Sequence, residues 1–423
     1  MMRPMAGLTL NDIQEAAAAF GPLVRTTPVW PFAMPAATGE RTLHLKLENL
    51  QVTGSFKARG ALNFLRLLPD AEAGRGLVAV SAGNHAQGVA LAARERGANA
   101  TIVMPAAAPL AKVLATRALG AKVILHGASL DEARAEAFAI ADREGRVFVP
   151  PYDHDAIIAG QGTIGLEILE QHPSVEEILV PAGGGGLLAG IALAVKSLRP
   201  DVRVIGVQAA AMDGICESLR AGKVLRAPSV RTIADGVAVS GPSERTFAII
   251  REHVDEMVAV SEEAIAHAVV LLMERGKLVA EGAGALGVAA IQSGVYHPRG
   301  EAVAVISGGN IDINLIGSVV RNGLVDAGRY QQLAVEVTDT PGQLALVASV
   351  IASAGGNVLE VEHNREAPSL PIGVAMLELL LEVNGAEHFR EILAALREAG
   401  LRGVPGSEAR LATTEARSAH EHQ

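Results

Sequence analysis

The chain has 423 residues and a formal net charge of −10; hydrophobic residues make up 49% of it and aromatic residues only 3%. That length exceeds what one compact core accommodates, so we expect two or three cores filled mainly by alanine, valine and leucine. The negative charge and the lack of any lysine–arginine cluster argue against nucleic acid as a partner.

Along the chain, short apolar runs alternate with alanine-rich runs of helical character. Continuous apolar strands that alternate with helices are typical of buried parallel sheets covered by helices, so we predict an α/β fold. In that architecture ligands gather at the carboxyl ends of the strands. The predicted strands are 76–81, 100–105, 122–127, 147–150, 177–182, 203–208 and 302–307. The predicted helices are 87–96, 106–119, 130–144 and 187–198.

Residues 53–60, with the sequence TGSFKARG, place Lys57 behind a polar turn and inside an apolar stretch. Lysine forms Schiff bases with aldehyde cofactors, and an apolar pocket lowers its pKa toward the neutral, nucleophilic amine. A surface lysine on a loop is the alternative. A phosphate-binding turn elsewhere in the chain would favour pyridoxal phosphate as the cofactor.

Residues 81–88, with the sequence SAGNHAQG, connect a predicted strand to a predicted helix. Ser81 and Asn84 are good helix N-cap residues, and the free N–H groups at a helix start suit a carboxylate. A purely structural cap is the alternative here.

A second glycine-rich turn lies between another predicted strand and helix, and consists of Gly183, Gly184, Gly185 and Gly186, followed by Leu187. Consecutive glycines let backbone N–H groups close around an anion at the positive end of a helix. A flexible linker would not be confined between a buried strand and a helix. We therefore predict a phosphate site at this turn.

Cysteine and histidine usage limits the other chemistries. Cys216 is the single cysteine, which excludes an internal disulfide and any multi-cysteine metal site. The histidines show no ligand spacing, so we interpret them as solvated or core imidazoles and expect no catalytic metal. The histidines in question include His44, His126, His154 and His172.

No segment supplies the roughly 20 apolar residues that a membrane span needs, and residues 1–10 lack an apolar run. We therefore expect a cytoplasmic protein without a membrane segment.

Together these motifs resemble the fold-type II pyridoxal phosphate enzymes, and most closely the serine/threonine dehydratases, over residues 10–325. The resemblance implies a catalytic region 1–325 built of two parallel-sheet subdomains with helices on both faces, the smaller inserted at about 48–149. The matching segments are 25–28, 46–51, 54–61, 81–88, 159–163, 183–187, 281–285 and 307–310.

The resemblance also implies how pyridoxal phosphate is held. Lys57 would carry the cofactor as a Schiff base and act as the catalytic base, with Phe56 beside the pyridine ring. The four glycines and Leu187 would bind the phosphate. Asn84 would contact the ring hydroxyl, and Ser307 would face the pyridine nitrogen.

In the same family pattern, Ser81, Asn84 and His85 would bind the carboxylate of an amino-acid substrate. The implied reaction is an α,β-elimination that converts L-threonine to 2-oxobutanoate and ammonia, and L-serine to pyruvate. An alternative is a non-catalytic amino-acid-binding protein that retains the scaffold. Further alternatives on the same fold are a serine or aspartate racemase and a hydroxyaspartate dehydratase.

Two departures from relatives bear on these alternatives. Serine racemases of this fold carry a second serine where this chain has Ala82, and a methyl group cannot carry a proton, so elimination is favoured over racemisation. Metal-activated relatives place carboxylates after the strand that follows the phosphate helix, where this chain has Gln208 and, one position out of register, Asp213. A divalent activator is therefore not expected.

Beyond residue 325 the pattern changes to a β-α-β-β-α order. We predict a hinge at 326–331 and a ferredoxin-like domain at 332–405, whose final strand is poorly supported because 401–406 is short and contains a proline. The polar segment 406–423 is predicted to be a disordered tail. The predicted elements are strand 333–337, helix 343–354, strands 357–362 and 374–383, and helix 387–399.

This region resembles an ACT domain, an amino-acid-sensing module of metabolic enzymes. The resemblance implies a homo-oligomer, either a dimer or a tetramer, with an effector site between paired domains. A branched-chain amino acid is the expected effector, because 2-oxobutanoate feeds isoleucine biosynthesis; a role in assembly alone is the alternative. The implied effector residues are Asp339, Thr340, Pro341, Gly342 and Asn357.

Overall fold

The computed structural model describes residues 7–34, 42–226, 230–365 and 370–406. Contacts within the chain divide it into two units, the first ending at Ile316 and the second beginning at Gly317. Within the described residues, no helix is both long enough and apolar enough to cross a membrane.

The described residues of the first unit form ten strands in two sheets. They are β1 (Val29–Ala33), β2 (Thr42–Leu47), β3 (Leu77–Val80), β4 (Ala100–Met104), β5 (Lys122–Leu125), β6 (Val147–Phe148), β7 (Glu177–Pro181), β8 (Arg203–Ala209), β9 (Glu256–Val260) and β10 (Ala302–Ile306).

Helices connect most of these strands, as the alternating pattern predicts. They are α1 (Leu10–Phe20), α2 (Lys57–Leu67), α3 (Asp70–Ala73), α4 (Asn84–Arg96), α5 (Leu110–Ala118), α6 (Leu130–Glu144), α7 (Asp155–Gln171), α8 (Gly186–Leu198), α9 (Gly214–Ala221), α10 (Glu244–His253), α11 (Glu262–Leu271) and α12 (Gly282–Gln292). Helix α13 (Ile313–Asp326) spans the boundary between the two units.

The larger sheet has six strands in the order β1-β2-β10-β7-β8-β9. Its central strands β7 and β10 are buried at every position, which explains their continuous apolar sequences. The fold class is confirmed, and the larger sheet is mixed only at one edge, where β1 pairs with β2 in the antiparallel sense. Pro31 lies in β1. Proline has no backbone N–H, and it is tolerated there because one side of an edge strand makes no sheet hydrogen bonds.

The smaller sheet is parallel throughout, in the order β5-β4-β3-β6. Its strands lie between Leu77 and Phe148, inside the range 48–149 expected for the inserted subdomain. Strands β3 and β4 are fully buried, whereas the edge strand β5 is exposed or half-buried at each position. Strand β3 ends at Val80, so its carboxyl end leads directly into the loop that begins at Ser81.

A buried ion network anchors the helix that begins at Lys57. Arg59 donates to Glu48 Oε1 over 2.8 Å and to Glu167 Oε1 over 2.6 Å. Lys46 donates to Glu167 Oε2 over 2.6 Å, which joins β2, α2 and α7 through one set of charges. Buried charges are tolerated only when they are paired, so loss of any one partner would leave another uncompensated.

The second unit is a four-stranded antiparallel sheet with two helices. Its strand order, β12-β13-β11-β14, is that of the ferredoxin-like fold. One buried core joins the inner faces of the strands to both helices. The elements are β11 (Tyr330–Thr338), α14 (Gln343–Ser353), β12 (Asn357–Asn364), β13 (Val374–Glu382), α15 (Ala386–Glu398) and β14 (Arg402–Pro405).

The final strand of this unit and the predicted hinge can be compared with the structure. A final strand does form, since β14 pairs with β11 at the sheet edge, where Pro405 can occupy the end of the strand without disrupting a central ladder. The predicted hinge 326–331 stays a prediction: α13 ends at Asp326, residues 327–329 form a turn, and β11 begins at Tyr330. The predicted disordered tail lies, from residue 407 onward, outside the described residues.

Candidate active site

The carboxyl end of β10 holds the turn that precedes Lys57. Phe56 donates its backbone N–H to the carbonyl oxygen of Ser307 over 3.0 Å, and Ser55 pairs with Gly308 as an isolated β-bridge. Ser307 is buried at this point. The structure therefore places the predicted pyridine-facing serine next to the predicted Schiff-base lysine.

Lys57 occupies the first position of α2, and its Nζ donates to the carbonyl oxygen of Pro151 over 2.9 Å. Burial lowers the pKa of Lys57 to about 8, and the nearby Glu281 carboxylate opposes that change. The Phe56 ring centroid is 5.1 Å from Nζ. At this pKa roughly a tenth of the amine is neutral and nucleophilic at pH 7, a much larger fraction than for an exposed lysine.

Near Lys57, the side chains of Glu281, Asn84 and Asn310 form a hydrogen-bonded chain. Asn84 donates from Nδ2 to Glu281 Oε1 over 2.6 Å, and its Oδ1 accepts from Asn310 Nδ2 over 2.8 Å. Burial raises the pKa of Glu281 to about 7, with Asp235 adding to the shift while Asn84 and Lys57 oppose it. The motif 281–285 is evident in the sequence, but the prediction assigned Glu281 no role, because its proximity to Asn84 arises only in the folded chain.

The loop from Ser81 to His85 starts helix α4. Ser81 Oγ accepts the Gly83 N–H over 3.1 Å, and His85 Nε2 lies 3.0 Å from the Val149 carbonyl oxygen. Burial, and secondarily the Lys57 charge, lower the pKa of His85 to about 3, so the ring is neutral and Nε2 is the donor. The His85 side chain is engaged in this hydrogen bond. The groups left to bind a carboxylate are the backbone N–H groups of the first helical turn.

The tetraglycine forms the start of α8, with Gly185 in the left-handed region at φ +90°. A Cβ at Gly184 would lie 2.5 Å from the ring of Tyr152, and a Cβ at Gly183 would lie 2.9 Å from the Cα of Val237. The turn therefore has no room for side chains, and its N–H groups point to an anion as the natural ligand.

Tyr152 is a residue of the site that sequence reasoning missed. It follows Pro151, the acceptor for Lys57; its ring packs against Gly184, and its Cβ and backbone pack against Gly186. Residues 151 and 152 thus connect the lysine to the glycine turn. A reactive amine beside a phosphate cradle fits pyridoxal phosphate, since its aldehyde and phosphate groups require those two partners.

Gln208, the neutral residue expected to disfavour a divalent ion, lies in β8, and its side chain holds the loop that follows the strand. Its Oε1 accepts N–H groups of Ile215 and Cys216, each over 3.1 Å, and its Nε2 donates to the Met212 carbonyl over 3.1 Å. The amide is fully occupied in holding the loop. Burial raises the pKa of Cys216 to about 11, so this thiol is unreactive at neutral pH.

The predicted effector residues do not come together within one chain. Asp339, Thr340, Pro341 and Gly342 follow the end of β11, whereas Asn357 lies across from Glu382, which pairs with Tyr330 at the start of β11. Because β11 is nine residues long, the two groups are separated by roughly 27 Å. An effector site made of both groups requires two copies of the unit.

Comparison with known proteins agrees with the geometry of the site. A family model described as "Pyridoxal-phosphate dependent enzyme" matches residues 21–308. The chain is 49% identical over 386 residues to an L-threonine ammonia-lyase of Thermotoga maritima, covering 91% of this chain and 96% of that one. A crystal structure of a T.th. threonine deaminase superposes with a TM-score of 0.68 at 43% identity, covering 72% of this chain and 99% of the other. A structure of maize serine racemase has a TM-score of 0.70 at 34% identity, covering 75% and 98% of the two chains.

Proposed function

The chain belongs to the pyridoxal-phosphate dependent enzymes, and from this premise we propose that it converts L-threonine to 2-oxobutanoate and ammonia, with L-serine as a second substrate. The observation that carries the proposal is Lys57, a lysine whose pKa is lowered to about 8 and which lies beside a side-chain-free glycine turn. Identity with a threonine ammonia-lyase over nearly the whole chain supports the choice of substrate.

The protein's own contribution to the reaction centres on Lys57. When bound, the cofactor supplies an electron sink next to the α-carbon of the substrate. The neutral Lys57 amine removes the α-proton and can return a proton to the departing β-hydroxyl, which leaves as water. The released enamine becomes an imine, which water hydrolyses to the 2-oxo acid and ammonia. The water released in the elimination thus equals the water consumed in the hydrolysis.

The start of α4 orients the substrate in this proposal. The first-turn N–H groups at Asn84 and His85 have no acceptor within the helix, and the helix dipole favours an anion there. Ser81 adds a hydroxyl next to them. A carboxylate bound at this end would present the α-carbon to the Lys57 amine, which lies in the adjoining helix α2.

The carboxyl end of β10 favours elimination. Ser307, the proposed partner of the pyridine nitrogen, is a neutral side chain and cannot hold a proton on that nitrogen as strongly as an aspartate would. A carbanion at the α-carbon is then less stabilised, and rapid loss of the β-hydroxyl is favoured over transamination.

Racemisation is the second candidate, since maize serine racemase shares the fold. Ala82 disfavours it, because no proton donor occupies that position. Following the optical rotation of serine against release of oxo acid separates the two reactions. Hydroxyaspartate remains a third candidate substrate, because one small group in a pocket discriminates by only about 1–3 kcal/mol.

Borohydride reduction of the cofactor-loaded enzyme, followed by peptide mapping, tests the proposal directly. We expect the label on Lys57, and we expect Lys57→Ala to lower turnover of threonine by at least about 10³-fold, because general base catalysis and cofactor attachment are both lost. Lys196→Ala is the control, since Lys196 of α8 pairs with Asp255, away from the turn. Label on another lysine, or a colourless purified protein, would refute the assignment.

For the second unit, we propose an ACT-like sensor of branched-chain amino acids in a cytoplasmic homo-oligomer. The strand order of the ferredoxin-like fold supports the domain type. The separation of Asp339 from Asn357 supports a site shared between two paired copies, because one copy alone cannot present both groups to a single small ligand.

A further inference from the structure

Two of the histidines that show no ligand spacing in the sequence are neighbours in the fold. The ring centroids of His44 and His172 are 4.1 Å apart at an interplanar angle of 37°. His44 Nδ1 and His172 Nε2 are both buried, and among the described residues neither atom has a hydrogen-bond partner. The two side chains are largely buried imidazoles, and the fold brings them together although 128 positions separate them in the sequence.

Both nitrogens face one carboxylate. Glu301 Oε2 lies 3.7 Å from His44 Nδ1 and 3.4 Å from His172 Nε2, and the three ligand atoms all lie within 4.8 Å of one another. The side chains of His44 and His172 are each 16% exposed, whereas that of Glu301 is 49% exposed. Water can therefore reach the carboxylate side of the group.

The backbone holds each of these residues in place. His44 lies in β2 and pairs with Val303 of β10, and Glu301 directly precedes β10. His172 caps the C-terminal end of α7, and its N–H bonds to the Ile168 carbonyl over 2.9 Å. The carbonyl oxygen of Glu301 accepts two backbone N–H bonds from residues 176 and 177, over 2.9 and 3.1 Å.

The geometry points to a divalent transition-metal site, suited to Zn²⁺, formed by His44 Nδ1, His172 Nε2 and one Glu301 carboxylate oxygen, with water completing a tetrahedron. Two imidazole nitrogens and one carboxylate are a ligand set that Zn²⁺ accepts. Bonds of about 2.0–2.1 Å place tetrahedral ligands about 3.3 Å apart, so two of the three spacings need to shrink by only a few tenths of an ångström. The negative end of the α7 dipole adds a favourable field for a cation.

The site is remote from the catalytic lysine. Glu301 precedes β10 and Ser307, next to the lysine, follows it, so the two ends of this strand are roughly 20 Å apart. A bound ion would join β2, α7 and β10 at the amino-terminal edge of the larger sheet. Its role is therefore to stabilise the fold, since an ion that binds only the folded chain raises its stability.

Zinc titration of the full-length, cofactor-loaded enzyme tests the site. The sequence contains two further histidines near its end, His420 and His422, so the reference protein carries His420→Ala and His422→Ala to remove a competing site. After treatment with EDTA, we expect calorimetry and metal analysis to give one Zn²⁺ per chain. We also expect a rise of several degrees in the melting temperature on addition of the ion.

In the same background, His172→Gln and Glu301→Gln should each weaken zinc binding at least tenfold and abolish the rise in melting temperature. Turnover of the zinc-free enzyme should be unchanged in both variants, and their cofactor absorbance reports that they fold. His126→Gln, which changes an exposed histidine, is the matched control. Absence of zinc binding in the reference protein would identify the cluster as a carboxylate–imidazole ion pair only. Equal zinc binding in the reference and in His172→Gln would also refute the site.

Discussion

At the scale of single residues, Glu281 and Lys57 determine the charge of the site. Each group affects the pKa of the other, because both are removed from water. A carboxyl with a pKa of about 7 is half protonated near neutral pH, and it hydrogen-bonds the asparagine proposed to contact the cofactor ring. Glu281 is thus the residue whose protonation affects the site most directly.

Glu281→Gln should change the pH dependence of stability in the cofactor-free protein. The folded state retains the proton up to pH about 7, whereas an unperturbed glutamate loses it near 4.5, so wild-type stability falls as the pH rises between these values. Glutamine does not ionise, so the variant keeps its stability as the pH rises through this range. We expect no difference in melting temperature at pH 4.5 and a gain worth up to about 3 kcal/mol at pH 8, from about 1.4 kcal/mol per pKa unit.

Thermal unfolding of both proteins at the two pH values measures this effect. Glu15→Gln is the control, because Glu15 is an exposed carboxylate of α1. A stability difference between Glu281→Gln and wild type that is the same at both pH values would show that folding does not raise the pKa of Glu281.

Ala82→Ser should raise serine racemisation relative to elimination. The substitution introduces a hydroxyl in the loop that starts α4, where related racemases carry one, and such a hydroxyl can protonate the opposite face of the α-carbon. Chiral analysis of residual serine, measured alongside pyruvate release, gives the ratio. An unchanged ratio in the variant would mean that another residue controls the second face.

At the scale of elements, the glycine turn before α8 depends on its packing against Tyr152. Gly184→Ala places a methyl group 2.5 Å from the tyrosine ring, so either the ring or the turn must move. Overpacking of this kind costs about 1–3 kcal/mol, which corresponds to a roughly 5- to 150-fold weaker affinity for pyridoxal phosphate if the turn moves. Titration of the apoprotein with the cofactor, followed by absorbance, measures it.

The matched control for this variant is Gly317→Ala, because a Cβ at Gly317 meets no atom within 4 Å and the residue lies in a helix. That substitution should leave cofactor affinity unchanged. If Gly184→Ala also leaves it unchanged, the tetraglycine does not form the phosphate cradle.

At the scale of the whole molecule, the second unit should couple an amino acid to catalysis. A ligand shifts an equilibrium only by its differential affinity for two states, so isoleucine or valine must bind one arrangement of the oligomer better than the other. Asn357→Ala should weaken the response of activity to these ligands at least tenfold while leaving turnover in effector-free buffer unchanged. Asn11→Ala, an exposed asparagine of the first unit, is the control.

Calorimetry with the intact protein and each amino acid, together with steady-state assays, measures that coupling. The loss in Asn357→Ala should be specific, because the Asn357 side chain makes an exposed hydrogen bond with Glu382 that contributes little to folding. If neither amino acid binds and activity is unmoved by both, the unit is an assembly module.

The sequence by itself determined the features that depend on local pattern. Continuous apolar runs predicted the buried strands of both sheets, and helix α6 occupies the predicted residues 130–144. The motifs around Lys57 and the tetraglycine identified the cofactor, because a reactive lysine and a side-chain-free turn are each defined within a few consecutive residues. Elements such as β1, β2 and α7 were not predicted; α7 is buried along most of its length, so its sequence lacks the one-sided apolar pattern of a surface helix.

Only the tertiary structure decided which distant residues meet. Glu281 reaches Asn84 across 197 positions of the chain, and Tyr152 packs against the glycine turn. His44, His172 and Glu301 converge because parallel strands bring their amino-terminal ends to one edge, where a helix also ends. Burial, hydrogen bonding and pKa shifts depend on these long-range contacts, and no local pattern in the sequence encodes them.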